Sequence, residues 1–194
     1  MPLVSINESI NAIFSIIARY GHQEYPGAPV TLLEHSLQTA MNAAKDTQDE
    51  ELVLAAFFHD IGHLCHTGKE LGLDNQVMNH EKAGALLLAQ HGFSERIVLL
   101  VENHVLAKRY LTYKYPDFYL SLTETARESL EYQGGPLGMD DALRFEAHPL
   151  FSELVQLRKW DELSKEPGAA TPPLYEFRYM AMYHLIRTKN GCLV

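Results

Sequence analysis

FFHDIGH, residues 57–63, carries the chain from two phenylalanines straight into an imidazole and a carboxylate, with a second imidazole four positions after the first. Upstream, ELVLAAFF (residues 51–58) is an almost unbroken apolar run, the composition of a helix enclosed within a core. An ionised Asp60 at the end of such a helix costs several kcal/mol, on the order of the desolvation of a carboxylate, unless it is paired or bound to a cation. A metal is therefore the first partner to look for, and the helices on either side are where its other ligands must stand.

The flanking sequence reads as helices separated by clear breaks. Val4 to Tyr20 is amphipathic, with Ile10, Ile13, Ile16 and Ile17 on one side. GHQEYPGAP (21–29) is a loop, since two prolines and two glycines fall within nine residues. Thr31 with Glu34 forms a capping box for a helix to about Lys45 that carries His35 in its first turns. Asp49 caps a helix from Glu50 to about His63, and residues 64–78 connect it to a helix that Asn79 caps and that opens on His80. Gly92 stops that helix, and Ser94 caps the next, which bears His104, Lys108 and Arg109. Further helix precedes EYQGGPLG (131–138). Asp140 to about Leu163 is helical except around Pro149, and a last helix covers about Tyr175 to Arg187. Strand signals are weak throughout, so the expected class is all-α, in a single domain spanning 1–194.

Composition removes several function classes. A net charge of −9 argues against a nucleic-acid footprint, while a few local Lys and Arg residues can still hold a small anion. The first twenty residues lack a basic n-region, and no apolar run approaches the roughly 20 residues of a membrane span. With only Cys65 and Cys192 there is no disulfide framework, and the expected setting is the reduced cytoplasm. Histidine stands out, with ten copies.

Adjacent helical residues point about 100° apart, so His59 and Asp60 can bracket one cavity, binding two different metals or sharing Asp60 between them. His35, His80 and His104 can supply further nitrogens, and Asp161 a second carboxylate. Such a set suits iron, manganese or zinc better than calcium. Taken singly, a helical histidine is usually exposed or satisfied by its neighbours, which is how His22, His66, His91, His148 and His184 are read. HDIGH also has the i,i+4 histidines of a zinc-protease helix. Its Asp is a methylene shorter than the required Glu, and Gly62 weakens the helix there. His63 is better cast as a donor to substrate or to a ligand. Lys108 lies four residues after His104, and Arg158 three before Asp161, so each cation shares a helical face with a candidate ligand. Together they make a clamp for a doubly charged anion. Away from such ligands both would be ordinary solvated residues. Gln133, in the glycine-rich turn, can add an amide contact.

The order His35, His59-Asp60, His80, His104, Asp161 resembles the HD-domain superfamily. Its plain pattern of His35, His59, Asp60 and Asp161 is typical of phosphohydrolases, and the added His80 and His104 look like the binuclear subset. LLEHSLQTA, HDIGH, NHEKAG, HVLAKRYL, EYQGGP and RKWDE are similar to the phosphonate branch of the mixed-valent diiron oxygenases, the group that contains myo-inositol oxygenase. The resemblance covers Tyr25 to Asp161. It implies a helical bundle with a central binuclear site, in which Asp60 bridges two irons (Fe2+/Fe3+), one held by His35, His59 and Asp161 and the other by His80 and His104. It also implies catalytic parts for Tyr25 and His63, a small hydroxyphosphonate and dioxygen as partners, and cleavage of the C–P bond to phosphate and a carboxylate.

In the aminoethylphosphonate enzymes the loop before the first His resembles Tyr-x-Gly-Glu, where the Glu pairs with a primary ammonium. Here it is Tyr25-Pro-Gly-Ala28. A trimethylammonium group cannot donate N–H bonds and loses little with the carboxylate, since aromatic faces still attract it. This makes Ala28 an expected substrate contact and favours (R)-1-hydroxy-2-(trimethylammonio)ethylphosphonate, giving glycine betaine, over (R)-2-amino-1-hydroxyethylphosphonate, giving glycine. Glu24 is the alternative source of the missing charge. A metal-dependent phosphohydrolase and a non-catalytic binding module with structural metals are the competing functions.

Overall fold

The computed structural model describes residues 5–65, 79–189 and 191. Its helices are α1 (Ile6–Tyr20), α2 (Leu32–Asp46), α3 (Glu50–Phe58), α4 (His80–Gln90), α5 (Glu95–Lys114), α6 (Pro116–Ser121), α7 (Glu124–Tyr132), α8 (Met139–Glu146), α9 (Phe151–Glu162) and α10 (Leu174–Lys189), with a 3-10 turn at Ile61–Leu64. Among the described residues no strand forms, and a single isolated bridge joins Glu24 to Thr31. None of their helices is long and apolar enough to cross a membrane. The fold is the expected all-α bundle.

Local chemistry sets most of the boundaries. Thr31 Oγ1 accepts from Glu34 N at 3.1 Å while Glu34 Oε2 accepts from Thr31 N at 2.7 Å, closing the capping box on α2. Asp49 Oδ1 accepts from Glu51 N and Leu52 N to start α3, and Ser94 Oγ accepts from Ile97 N to start α5. Asn79 occupies the cap position of α4 without a side-chain bond. Residues 66–78, most of the expected connection before α4, lie outside the described residues.

Every residue of α3 from Leu52 to Phe58 is buried. That is why its sequence shows no polar face: α2, α5, α9 and α10 all pack on it. Helix α5 also meets α4 and α9, so the two form the walls beside the end of α3.

The chain departs from the expected helix to His63. Helix α3 stops at Phe58, Asp60 takes φ −102° and ψ 11°, and the 3-10 turn follows, with His63 N donating to Asp60 O at 3.0 Å. Gly62 explains the change of course. A Cβ there would run into the carbonyl oxygen of His80 and the backbone nitrogen of Gly84. Only glycine lets the backbone after Asp60 lie directly on the first turns of α4. The break therefore brings Asp60 to His80.

Candidate metal centre and anion pocket

Five of the expected ligands are nearly sealed from solvent: His35 and His59 are 0% exposed, His104 and Asp161 2%, and Asp60 6%. His80, at the start of α4, is partly buried. The ring nitrogens converge on Asp60 from both sides. Its Oδ2 lies 3.6 Å from His35 Nε2 and 3.3 Å from His59 Nε2, and its Oδ1 lies 3.4 Å from both His80 Nε2 and His104 Nε2. Asp161 Oδ1 is 3.4 Å from His35 Nε2, on the first of these sides. All six expected ligands are thus brought together, with Asp60 between two groups.

The imidazoles are oriented by their outer nitrogens. His35 Nδ1 donates to Ser164 O at 2.8 Å, His59 Nδ1 to Ala56 O at 2.8 Å and His104 Nδ1 to Val101 O at 2.7 Å, while His80 Nδ1 stands 3.4 Å from Glu81 Oε2. With Nδ1 of His35, His59 and His104 donating outward, each of these rings turns its Nε2 toward the cluster. Yet His35 Nε2 and His59 Nε2 are only 3.2 Å apart, and so are His80 Nε2 and His104 Nε2. Two imidazole nitrogens at that distance need a proton or a metal ion between them.

Electrostatics draw a cation to the same place. Burial opposes ionisation of Asp60, but His59 and the hydrogen bonds of His104 and His80 hold its carboxyl well below the usual range. Asp161 is likewise held low against burial, chiefly by Arg158. Burial lowers the His59 imidazole, and Asp60 outweighs it, lifting the group to about 9. A proton satisfies that pull for one ring, and a divalent metal can satisfy it for both rings and both carboxylates. Two groupings of donor atoms have metal-like spacing, His35–His59–Asp60 and Asp60–His63–His80, with Asp60 common to the two. His63 stands closer to the second group than the sequence suggested, its ring stacked on His80 at 4.0 Å. The donor set fits metals that take imidazole and carboxylate.

A cavity of about 80 Å³ opens beside the cluster, reached by Asp60, His80, His104 and Asp161. Lys108 and Arg158 both line it and are 4% and 6% exposed. Lys108 Nζ donates to Gln133 Oε1 at 3.0 Å and Ser129 Oγ at 3.3 Å, both neutral acceptors. Burial, helped by Arg158, pushes its ammonium down to about 7. An ammonium held this way can take an anion. Arg158 Nη1 donates to Asp161 Oδ2 at 2.5 Å and its Nη2 pairs with Glu162, so it steadies the carboxylate as well as charging the cavity.

Tyr25 and His63 also line the cavity, the Tyr25 ring lying 4.1 Å from that of His35. Burial and the neighbouring Asp60 and Asp161 push the Tyr25 phenol well up. Ala28 does not reach this cavity. It lines a separate outer hollow with Glu24 and Glu34, so neither Ala28 nor Glu24 faces the cluster. The turn is responsible: Gly27 adopts φ +80° and borders both hollows, Ala28 N donates to Tyr25 O, and the chain presents Tyr25 and Pro26 to the inner cavity and residue 28 to the outer one.

The sequence reading missed Lys165, Ser129, Thr123 and Thr125, all on the cavity wall. Lys165 brings a third cation, paired to Glu162 Oε2 at 2.8 Å. Its position four residues after Asp161 was the available signal, but it lies beyond the end of α9, where helical spacing no longer applies.

The family description "HD domain" matches residues 32–164. The chain is 38% identical over 180 residues to the [1-hydroxy-2-(trimethylamino)ethyl]phosphonate dioxygenase (glycine-betaine-forming) of Leisingera caerulea, covering 91% of this chain and 88% of that one. It is 33% identical over 174 residues to the hydroxymethylphosphonate dioxygenase of Gimesia maris, covering 88% and 85%. It is 34% identical over 192 residues to an uncharacterised protein of Acanthamoeba polyphaga mimivirus, covering 96% and 86%.

Proposed function

From the premise that this chain belongs to the HD-domain family, we propose that it is a diiron oxygenase that uses dioxygen to cleave the C–P bond of a small 1-hydroxyphosphonate. The observation that carries the reading is the pairing of a buried Lys108 ammonium, bonded to neutral acceptors, with a carboxylate-centred histidine cluster opening on the same cavity. A cavity of about 80 Å³ suits a small phosphonate better than a nucleotide. The names of the Leisingera and Gimesia relatives support an oxygenase acting on such compounds.

His35, His59 and Asp161 would hold one iron and His80 and His104 the other, with Asp60 shared. Two irons bound there supply Lewis acidity and the redox capacity toward dioxygen that no side chain has. The protein supplies position and charge. Lys108 and Arg158 hold the phosphonate, Gln133 and Ser129 orient Lys108, and Lys165 adds charge at the opening. Burial lowers the His63 imidazole to about 4 against the pull of Asp60, so near pH 7 the ring is neutral and its part is to offer a hydrogen bond to substrate rather than to store a proton. Tyr25 shields the His35 side from water. The net reaction joins the hydroxyphosphonate and dioxygen to give a carboxylate, phosphate and a proton.

The favoured substrate is (R)-1-hydroxy-2-(trimethylammonio)ethylphosphonate. Among the described residues the cavity wall offers no carboxylate beyond Asp60 and Asp161 for a primary ammonium, while the Tyr25 ring remains for a methylated one. The test is iron-loaded protein with the trimethylammonio, primary-amine and hydroxymethyl compounds, under air and under argon, following oxygen uptake and phosphate release. Phosphate should appear only in air, matched by oxygen consumed. Equal release under argon, or turnover of phosphate esters alone, would replace the oxygenase with a hydrolase.

A further inference from the structure

We infer that Gln38 is a positioning residue for one half of the metal centre: it fixes the 164–166 segment whose backbone sets the orientation of His35. The inference rests on the metal-binding part of the proposed function. Gln38 is 2% exposed and lies three residues after His35 on α2. Its side chain bonds both backbone groups of one residue, Nε2 donating to Glu166 O at 2.9 Å and Oε1 accepting from Glu166 N at 3.0 Å.

The segment it grips is the exit from α9. Helix α9 ends at Glu162, and Ser164 N makes the last turn bond, to Asp161 O at 3.1 Å. Beyond that point α2 provides the partners. Asn42 Nδ2 donates to Ser164 Oγ at 3.1 Å, and Ser164 Oγ donates to Trp160 O. Residues 35, 38 and 42 follow helical spacing, so one face of α2 is laced to the end of α9.

The consequence reaches His35 through one bond. Ser164 O accepts from His35 Nδ1, which commits the ring proton outward and leaves Nε2 to face Asp161, Asp60 and His59. If the segment shifts, His35 loses both its tautomer and its aim. The second histidine pair is untouched, because His104 is fixed by Val101 O within α5 and His80 stands beside Glu81 on α4. Gln38 should therefore act on one metal position of two.

The test is titration of metal-free protein with cobalt(II), read by visible absorption and by stoichiometry. Wild type should bind two equivalents. Gln38→Ala should weaken one of them by about 10- to 100-fold and leave the other at its wild-type affinity. Gln38→Met, of similar length but with neither hydrogen bond, should weaken the same position as Gln38→Ala does, which separates the bonds from the packing. Should Gln38→Ala not fold, Asn42→Ala gives the same selective weakening to a smaller extent. Wild-type affinity at both positions, or equal weakening at both, overturns the inference. A wild type that binds fewer than two equivalents instead counts against the binuclear reading itself.

Discussion

Lys108 and Gln133 meet across 3.0 Å, ammonium to amide oxygen, tying α5 to the turn after α7, and among the described residues no carboxylate hydrogen-bonds to that ammonium. A cation bound only to neutral groups in a buried wall is poorly solvated until an anion arrives.

Lys108→Met should separate stability from affinity. Loss of a charge-assisted contact worth about 2–3 kcal/mol should lower kcat/KM by about 30- to 150-fold. The melting temperature should rise at the same time, since a desolvated ammonium is replaced by an apolar chain of similar length. Steady-state kinetics and thermal melting check the pair, and unchanged kinetics would move the anion site elsewhere.

The stabilisation by Lys108→Met should depend on pH. The ammonium titrates near 10.5 in the unfolded chain and about 7 in the fold, so between those values the folded state binds fewer protons. Wild-type stability then gains from this residue as pH rises from about 7 toward 10.5, and the penalty is full below 7. The advantage of Lys108→Met should be greatest below pH 7 and shrink above it, measured as the difference between the two denaturation curves. A difference independent of pH would mean that Lys108 is not titrating in the fold.

Asp60→Asn should abolish binding of both metals, and His104→Ala of one. The carboxylate has one oxygen toward each histidine pair, whereas His104 Nε2 faces only the second. Metal content after desalting decides it. Two metals retained by Asp60→Asn would remove the shared ligand from the scheme.

Gly62→Ala should cost more than a helix-propensity change would suggest. The new methyl meets backbone of His80 and Gly84, which cannot swing aside as a side chain can. We expect a destabilisation of about 1–3 kcal/mol and loss of metal from the His80–His104 side as α4 is forced away from Asp60. Full occupancy with an unchanged melting temperature would contradict this.

Ala28→Glu should leave the choice between the trimethylammonio and primary-amine compounds unchanged. Residue 28 faces the outer hollow and not the metal-side cavity. The ratio of specificity constants in wild type and variant is the measure, and a shift toward the primary amine would show that the 25–28 turn reorients when substrate binds.

Capping chemistry and the apolar run of α3 could be read along the chain because each depends on residues within about a helical turn. The order of the candidate ligands and the placing of Arg158 beside Asp161 were legible for the same reason: helical spacing and motif order are properties of sequence. The break at Asp60 was not, because the need for Gly62 arises only where another segment, His80 to Gly84, crosses it. The outward turn of Ala28 follows from a positive φ at Gly27, which a glycine permits but does not require. Lys165 and Gln38 act across 128 residues or beyond a helix end, where periodicity carries no information. Sequence determined which side chains can bind cations and anions. Tertiary packing decided which of them face one cavity, since that depends on how non-local backbone satisfies its hydrogen bonds once water is excluded.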